Sequence, residues 1–331
     1  MSRSGLSVLV TGANGFVGSH FTEALLARGH HVRCMVRSSS DLTYIRHLPV
    51  EWEYGDVCDA DCLHQACQGI DVICHCAALT RAVDEETFLR VNTEGTRALA
   101  RAAIEAAPNM QRFLFVSSQT AAGPSRGADD FVDESRPPQP ITWYGRSKWE
   151  AEQALLSMSG ELPLTIVRSV AVFGPRDRDF FTYFDLVNRH LQLKLGRNER
   201  KVTLIYIRDL IDLILLALEN EVAVGQTYFG CGQVLTYDGF SETISRALGK
   251  RAVRITLPVA VTTPIAMVAG LQERLTGRPA LLNGQRIKDM RQPYWLCSGD
   301  KARVELGFET LTDLDTAVRE TVDWYRENGW L

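Results

Sequence analysis

The sequence contains no paired Cys-x-x-Cys motif, although it has eight cysteines among its 331 residues. Their scattered positions match neither a zinc site nor the disulfide framework of a small secreted protein, so we predict reduced thiols and a cytoplasmic location. A Cys-His-Cys run at 74–76 lies in an apolar stretch, where alternate side chains of a strand face opposite ways. We therefore predict that this run belongs to the core and that the chain holds no metal.

The sequence also lacks a run of basic residues, and its formal net charge is −4. This charge balance argues against nucleic acid as a partner. The most apolar stretch of the later chain, 255–271, contains two prolines and three threonines and falls short of a membrane span. We predict a buried or surface-lying helix there, and no spanning segment. The first five residues run directly into an apolar strand, so we expect no signal peptide.

A glycine-rich turn follows the first apolar run of the chain. Residues 6–11 predict a buried strand, glycines follow at 12, 15 and 18, and apolar residues then recur at helical spacing. Gly12 permits a tight turn, Gly15 lets a pyrophosphate approach the backbone, and Gly18 lets the helix contact the strand closely. The helix N-terminus offers free N–H groups to phosphate. The pattern predicts dinucleotide binding, and the alternative is a plain turn.

The chain then alternates strands with helices, which predicts the α/β class and a doubly wound parallel sheet, a Rossmann fold. The predicted strands are 6–11, 31–36, 50–54, 71–76, 112–117, 164–168, 202–207 and 226–229. After the first helix, the predicted helices are 41–47, 59–67, 85–106, 144–158 and 209–220. We predict a dinucleotide-binding domain at 1–173 plus about 203–233, and a smaller, mixed C-terminal substrate domain at about 174–202 plus 234–331.

A long irregular stretch, 123–142, separates the fifth strand from its helix. It contains four prolines and four acidic residues. A loop of this length within a compact domain is usually functional, so we predict a functional loop or a lid.

A tyrosine and a lysine lie four residues apart at the start of the helix after the fifth strand. Tyr144 and Lys148 therefore share one helix face. A nearby ammonium and an oxidised nicotinamide stabilise phenolate and lower the tyrosine's pKa from its ordinary value of about 10. The fifth strand ends in Ser117-Ser118, at the sheet edge where ligands bind. We predict that Ser118 polarises a substrate carbonyl, the alternative at this strand end being that Ser117 merely caps the strand.

Further motifs accompany these residues. They are Thr11 to Gly18 as a TGxxGxxG fingerprint, Gly55-Asp56-Val57, Cys76-Ala77-Ala78, Asn92-Thr-Glu-Gly95-Thr96, Arg168 to Pro175, and Tyr206-Ile-Arg-Asp209. Together they resemble the extended short-chain dehydrogenase/reductase family, which includes nucleotide-sugar epimerases, dihydroflavonol reductases and 3β-hydroxysteroid dehydrogenases. The resemblance covers almost the whole chain.

The resemblance implies Ser118, Tyr144 and Lys148 as catalytic residues. It also implies cofactor contacts from the glycine turn, from the ends of several strands and from the catalytic helix. These cofactor residues are Gly12, Asn14, Gly15, Phe16, Val17, Gly18, Asp56, Val57, Ala77, Ala78, Tyr144, Lys148 and Val170. Finally, it implies a homodimer through the helices at 85–106 and 144–158.

Two departures from the family pattern limit the reaction and the cofactor that we expect for this chain. Family dehydratases carry Asp-Glu after the catalytic hydroxyl residue, whereas this chain has Gln119-Thr120, so sugar 4,6-dehydration is not expected. NAD-preferring members end the second strand with a carboxylate that binds the ribose hydroxyl, whereas here Val36 is followed by Arg37. A guanidinium suits a 2′-phosphate, so we predict that Arg37 binds the cofactor and that this is NADP, with NAD as the alternative.

The end of the chain resembles the dihydroflavonol reductase and steroid dehydrogenase branch, through motifs at 275–279, 300–308 and 324–330. We predict an NADP-dependent oxidoreductase, a carbonyl reductase or alcohol dehydrogenase, whose partner is a mid-sized small molecule, with an apolar one favoured. One alternative is an NAD-dependent nucleotide-sugar 4-epimerase that uses the same three residues. The other is a non-catalytic dinucleotide-binding regulator or assembly factor. Such proteins typically lose the tyrosine or the lysine, and this chain has both.

Overall fold

The computed structural model describes residues 5–280 and 283–331, and its core is a seven-stranded sheet. In chain order the strands are β1 (Ser7–Thr11), β2 (His31–Val36), β3 (Glu51–Tyr54), β4 (Val72–His75), β5 (Arg112–Ser118), β6 (Leu164–Ser169), β7 (Ala171–Phe173), β8 (Leu191–Leu195), β9 (Lys201–Tyr206), β10 (Thr227–Gly230), β11 (Gln233–Thr236), β12 (Val253–Leu257) and β13 (Tyr294–Trp295).

The α-helices are α1 (Phe16–Ala27), α2 (Ala60–Cys67), α3 (Glu85–Phe88), α4 (Gly95–Ala106), α5 (Gln119–Ala122), α6 (Trp143–Leu156), α7 (Phe181–Asn188), α8 (Ile207–Glu219), α9 (Tyr237–Leu248), α10 (Thr262–Thr276), α11 (Gly284–Arg291), α12 (Asp300–Leu306) and α13 (Leu314–Glu327). A π-helical segment, Leu89–Glu94, joins α3 to α4, and short 3₁₀ turns lie at Glu221–Ala223 and Val259–Val261.

The large sheet has the strand order β10-β6-β5-β4-β1-β2-β3, and every neighbouring pair is parallel. β1 and β4 lie at its centre and are buried along their whole length. The chain builds outwards from β1 in both directions, which creates a switch point between β1 and β4, where open α/β sheets bind ligands. The predicted doubly wound parallel sheet is confirmed.

Helices cover both faces of this sheet. α1 and α8 lie on one face, where Phe21 and Leu210 belong to one buried apolar cluster. α2, α4 and α6 lie on the other face, where Leu99 and Leu155 belong to a second cluster. Each helix buries one apolar stripe, and the two clusters together hold the three layers in place.

The later chain builds a smaller mixed sheet from β11, β9, β13 and β7, and a separate pair from β8 and β12. β9 runs antiparallel to β11 and parallel to β7 and β13. We predicted that the chain returns to the first domain at about 203–233. β10 does pair with β6 in the large sheet, but β9 does not join it, because β7 turns out of that sheet directly after β6 and pairs with β9. The division into two domains stays a prediction.

Three predicted helices differ in the structure. Residues 41–47 form turns, because the Asp41 carboxylate accepts hydrogen bonds from Thr43 and competes with helix formation. The predicted helix 85–106 contains the π-helical segment. The stretch 255–271 comprises the end of β12, a 3₁₀ turn and the first two thirds of α10. Among the residues that the structure describes, no helix is long and apolar enough to cross a membrane.

The loop 123–142 is fastened to the chain around β13. The Val132 backbone donates to the Leu296 carbonyl at 3.1 Å and accepts from Ser298 at 2.9 Å. The Ser125 hydroxyl donates to the same Leu296 carbonyl and accepts from the Leu296 N–H. At the base of the loop, Gln139 donates to the carbonyl of Ala122 at 2.9 Å. The loop is therefore fastened at both its middle and its base, and its role as a functional loop or a lid stays a prediction.

Candidate functional site

The glycine turn between β1 and α1 has almost no room for side chains. Gly12 has a φ of +69°, and a Cβ there would lie 2.7 Å from the Cα of Ala77. A Cβ at Gly18 would lie 2.2 Å from the carbonyl oxygen of Gly12. The Gly15 N–H donates to that same carbonyl at 2.9 Å and closes the turn. Glycine is therefore required for conformation at position 12 and for close packing at position 18.

The N-terminus of α1 opens onto this turn. Gly15 is its N-cap, and within the described residues of α1 the first turn has no side-chain cap hydrogen bond and no acidic residue. The N–H groups of Phe16, Val17 and Gly18 thus have no intrahelical acceptor, and the helix dipole is positive at this end. With Asn14 in the turn, these groups form a cradle that fits the pyrophosphate of a dinucleotide.

The remaining predicted cofactor residues lie at the carboxyl ends of neighbouring strands. They are Arg37 after β2, Asp56 and Val57 after β3, Ala77 and Ala78 after β4, and Val170 after β6. The strand ends are joined by backbone hydrogen bonds, from Cys76 to Thr11 and from Gly55 to Val36. Because all these strands are parallel, the structure brings these residues to the same sheet edge as the glycine turn.

Ser118 and Tyr144 meet where β5 and α6 come together. Ser118 ends β5, and Tyr144 is the second residue of α6. The Ser118 Oγ caps α5 by accepting hydrogen bonds from the N–H of Thr120 at 3.2 Å and from its hydroxyl at 2.9 Å, and it also acts on the pKa of Tyr144. A Cβ at Gly145 would lie 2.4 Å from the Thr120 carbonyl, so this glycine lets α6 approach α5. Burial raises the pKa of Tyr144 to about 12, against the opposing effect of the Ser118 hydrogen bond. The protein alone thus raises this pKa, whereas we predicted that Lys148 and an oxidised nicotinamide lower it.

Lys148 lies one helical turn beyond Tyr144 and is nearly fully buried. Its Nζ donates to the Val116 carbonyl at 2.7 Å and lies 3.9 Å from the centre of the Phe115 ring. Burial lowers the pKa of Lys148 to about 7, with the Glu152 carboxylate acting in the opposite direction. The ammonium is therefore held at the carboxyl end of β5, ready to contact a ligand at the same edge as Ser118.

A buried polar network that we did not predict lies behind these residues. Glu152 is one turn beyond Lys148 on α6, and its Oε2 is 2.7 Å from the Arg168 guanidinium. The Ser117 hydroxyl donates to Glu152 Oε1 at 2.5 Å. The structure thus directs Ser117 into this network and Ser118 towards Tyr144. The spacing 144, 148, 152 places all three residues on one helix face, which is the sequence signal that identifies Glu152.

Asn92 in the π-helical segment ties the loop after β4 to the catalytic helix. Its amide exchanges hydrogen bonds with both backbone groups of Leu79, at 2.8 and 2.9 Å. The same Nδ2 donates to the Ser147 hydroxyl at 3.0 Å. Beneath it, the neutral ring of His75 bridges the hydroxyls of Thr11 and Thr96. These contacts fix the position of α6 relative to the loop after β4, which lies at the sheet edge with the glycine turn.

Charged residues from later in the chain surround the Tyr144 phenol. Arg286 and Asp289 on α11, together with Asp179, act on its pKa. Asp179 pairs with Arg81 and lies 3.7 Å from Arg286. Burial raises the pKa of Asp289 to about 7, and among the described residues its Oδ1 has no hydrogen-bond partner. The surroundings of the phenol are thus polar, which no local sequence motif indicates because these residues meet only in the fold.

Comparison with known proteins adds an independent line of evidence. Residues 8–229 match the model of the NAD dependent epimerase/dehydratase family. The chain is 30% identical over 339 residues to the sterol demethylase protein B of Methylococcus capsulatus, covering 98% of this chain and 100% of that protein. It is 29% identical over 332 residues to the ceramide reductase of Caulobacter vibrioides, covering 98% and 96%.

Solved structures agree with this assignment. The chain superposes on the crystal structure of gox2253 with a TM-score of 0.82 and 30% sequence identity, covering 98% of this chain and 99% of that one. The glycine turn, the parallel sheet and the matched length therefore lead to one conclusion. The chain belongs to the NAD dependent epimerase/dehydratase family and is an NAD(P)-dependent enzyme of the extended short-chain dehydrogenase/reductase type.

Proposed function

We propose that this protein is an NADP-dependent carbonyl reductase or alcohol dehydrogenase acting on a mid-sized, largely apolar substrate. The observation that carries the proposal is the meeting of Ser118 with Tyr144, with Lys148 one turn away, at the sheet edge that also holds the glycine turn. These are the groups that carbonyl reduction requires, a hydrogen-bond donor, a proton donor and a cation, placed beside a dinucleotide cradle.

Tyr144, Ser118 and Lys148 each have a separate role in carbonyl reduction. A bound nicotinamide dinucleotide supplies or takes the hydride and, when oxidised, adds a positive charge that favours phenolate. Tyr144 gives its phenolic proton to the carbonyl oxygen that becomes the alcohol, and takes that proton back in the oxidative direction. Ser118 donates a hydrogen bond to the same oxygen. Lys148 binds the ribose and stabilises the phenolate by its charge.

The protein alone holds Tyr144 as a neutral phenol. Because burial raises its pKa to about 12, the phenol is protonated at neutral pH and is ready to act as an acid. In the oxidative direction the same group must first lose its proton, which burial disfavours.

The environment of Arg37 supports NADP. This side chain is exposed directly after β2, and the preceding Val36 offers no carboxylate for a ribose hydroxyl. A guanidinium binds a phosphate bidentately, so Arg37 is placed to hold a ribose 2′-phosphate.

The substrate class is supported by relatives and by the site itself. The names sterol demethylase protein B and ceramide reductase describe proteins that act on lipids. Near the phenol, Arg286 and Asp289 act on the pKa of Tyr144, and both are polar groups that could hydrogen-bond a carbonyl or hydroxyl group. These same polar groups also favour a second candidate, a nucleotide-sugar 4-epimerase, because a sugar offers many hydroxyls.

We propose in addition that two subunits pair through α4 and α6.

Calorimetry of purified protein with NADPH and NADH, after assay for retained dinucleotide, tests the proposal. We expect micromolar NADPH binding, much weaker NADH binding, and NADPH oxidation with apolar ketones or aldehydes. Y144F should bind NADPH normally but lose turnover by more than about 100-fold, while the exposed control Y54F keeps full activity. Tightly retained NAD with turnover of nucleotide sugars would establish the epimerase instead. Unchanged cellular function in Y144F would establish a binding role.

A further inference from the structure

The helix α10 presents a broad apolar face to the outside of the molecule. Met267, Val268, Leu271 and Leu275 are 71%, 68%, 58% and 78% exposed. Successive helix residues are about 100° apart, so these four side chains fall within an arc of about 100°. Four large apolar side chains on one arc form a contiguous patch, which soluble monomers seldom leave uncovered.

The opposite face of α10 is held in place. Thr262 and Ala269 are buried there, and the Arg291 guanidinium donates to the Thr262 hydroxyl at 3.0 Å. The Glu273 carboxylate accepts hydrogen bonds from the Ala280 backbone and from the Asn283 side chain. The helix therefore has an inner side fixed by specific contacts, and the exposed apolar arc is its outer side.

A second apolar strip lies on the adjacent strand pair. Val253 and Ile255 on β12 are 65% and 40% exposed, and Leu193 on β8, opposite Ile255 in the register, is 45% exposed. Residues paired across parallel strands face the same side of the sheet, so these three side chains form one strip. The 3₁₀ turn at 259–261 connects this strip to α10.

The chain around this apolar surface is strongly basic. Residues 250–291 contain eight arginines and lysines and two acidic residues, a net charge of +6, whereas the whole chain carries −4. Arg274 and Arg278 lie at the C-terminal end of α10, and Lys250 and Arg251 precede β12. Arg254 in β12 is paired with Asp238 and Glu242 of α9, so it adds little free positive charge. An exposed apolar arc bordered by cations is the pattern of a helix that lies in the interface of an anionic membrane.

We propose that α10 and the β8–β12 strip form a peripheral membrane-binding surface whose partner is an anionic phospholipid bilayer. Met267, Val268, Leu271 and Leu275 enter the boundary between headgroups and acyl chains, and the flanking arginines contact lipid phosphates. A second copy of this chain is a poorer partner, because a two-fold interface would bring Arg274 and Arg278 of the two copies together.

This surface is joined to the candidate active site. α11 follows α10, and the Gln285 side chain at the start of α11 accepts a hydrogen bond from the Trp143 backbone at 3.1 Å. Trp143 is the first residue of the helix that carries Tyr144. Membrane binding would therefore place the start of α6 on the side of the molecule that faces the bilayer. The proposal itself does not rest on the proposed function.

Co-sedimentation of the full chain with vesicles, without substrate or dinucleotide, tests the proposal. Wild-type protein should bind vesicles of phosphatidylcholine mixed with phosphatidylglycerol, and bind pure phosphatidylcholine vesicles much more weakly. M267S/L271S/L275S should reduce binding to the anionic vesicles by at least about tenfold. R274Q/R278Q should reduce it less and make the remainder less sensitive to salt than wild-type binding is. The matched control is V304S/L311S, which replaces two side chains that are 76% and 80% exposed elsewhere on the molecule, and it should bind as the wild type does.

Two results would overturn the proposal. One is wild-type protein that stays in solution with anionic vesicles while its melting temperature and NADPH binding are normal. The other is a change of the triple serine variant from dimer to monomer in light scattering with unchanged vesicle binding, which would identify the surface as a contact between copies. Because NADPH binding is measured separately, a failure of the proposed enzymatic function remains distinguishable from a failure of membrane binding.

Discussion

The guanidinium of Arg168 and the carboxylate of Glu152 form an ion pair with a 2.7 Å contact, and their side chains are only 7% and 1% exposed. A second contact joins the Arg168 Nε to the other carboxylate oxygen at 3.1 Å. The pair connects the end of β6 with the catalytic helix, one turn beyond Lys148. The Ser117 hydroxyl donates to the same carboxylate, and the pair fixes α6 against the sheet.

Removing one charge of this pair should be costly. E152Q leaves the Arg168 guanidinium buried without its counter-charge, and we expect a loss of about 3–5 kcal/mol in the free energy of unfolding. The double variant E152M/R168M removes both charges and should be less destabilised than E152Q. Urea denaturation measures the free energy of unfolding of both variants. The control is E94Q in the exposed pair of Glu94 with Arg97, which should cost less than about 1 kcal/mol. Equal losses in E152Q and E94Q would contradict the inference that burial makes the pair strong.

Lys148 should make the stability of the protein depend on pH. Its pKa falls from the ordinary 10.5 to about 7 on folding, so the unfolded chain binds more protons between these values. The penalty that Lys148 imposes on the folded state is therefore largest below about pH 7 and decreases as the pH rises. K148M removes this penalty, and we expect its advantage in unfolding free energy over the wild type to shrink by up to about 1.4 kcal/mol per pH unit.

Urea denaturation of both proteins between about pH 6.5 and pH 9.5 measures this difference. The other titrating groups are common to the two proteins and cancel. A difference that does not change with pH would show that Lys148 keeps an ordinary pKa. K148M should also lose turnover, because the ribose contact and the charge beside the phenol are gone.

Gly18 should tolerate no side chain. In G18A the new Cβ would lie 2.2 Å from the Gly12 carbonyl oxygen, so α1 must move away from the turn. We expect NADPH affinity to fall by at least about tenfold, since the phosphate cradle depends on that contact. The control is G160A, where a Cβ would have nothing within 4 Å. Calorimetry compares the two, and normal affinity in G18A would refute the phosphate assignment to this turn.

Arg37 should determine the choice between the two dinucleotides. In R37D a carboxylate replaces the cation at the end of β2, which repels a 2′-phosphate and accepts a hydrogen bond from a 2′-hydroxyl. We expect NADPH affinity to fall by at least about tenfold and NADH affinity to hold or rise. R46D, an exposed arginine in the following turn, is the matched control. Equal losses for both dinucleotides would mean that Arg37 contacts the adenine rather than the phosphate.

The glycine turn and the large sheet could be predicted well from the sequence, because their signals are local. Gly12, Gly15 and Gly18 follow a buried strand directly, and the structure shows the backbone contacts that each glycine permits. The parallel order of the large sheet follows from the alternation of strands and helices. Tyr144 and Lys148 needed only helical spacing to be placed on one face.

Four other features could not be predicted from neighbouring residues: a buried ion pair, the π-helical segment, the sheet to which β9 belongs and the position of Asp289. Arg168 and Glu152 are far apart in the sequence, and their pairing depends on how α6 packs against β6. The π-helical segment within 85–106 has an ordinary helical pattern, and its extra residue is explained by the contacts of Asn92 with Leu79 and Ser147. β9 belongs to the smaller sheet because β7 is there to pair with it. Asp289 reaches the site through α11, whose position only the fold decides.

The hydrogen bonds between loop 123–142 and residues 294–298 affect the order in which the structure can form during translation. During translation the glycine turn and the catalytic helix exist long before Leu296 and Ser298, which hold the loop in place. The loop therefore stays unfastened on a growing chain until residues 294–298 have been made. A chain cut before residue 294 would contain the glycine turn and α6 but none of the residues that hold this loop in place.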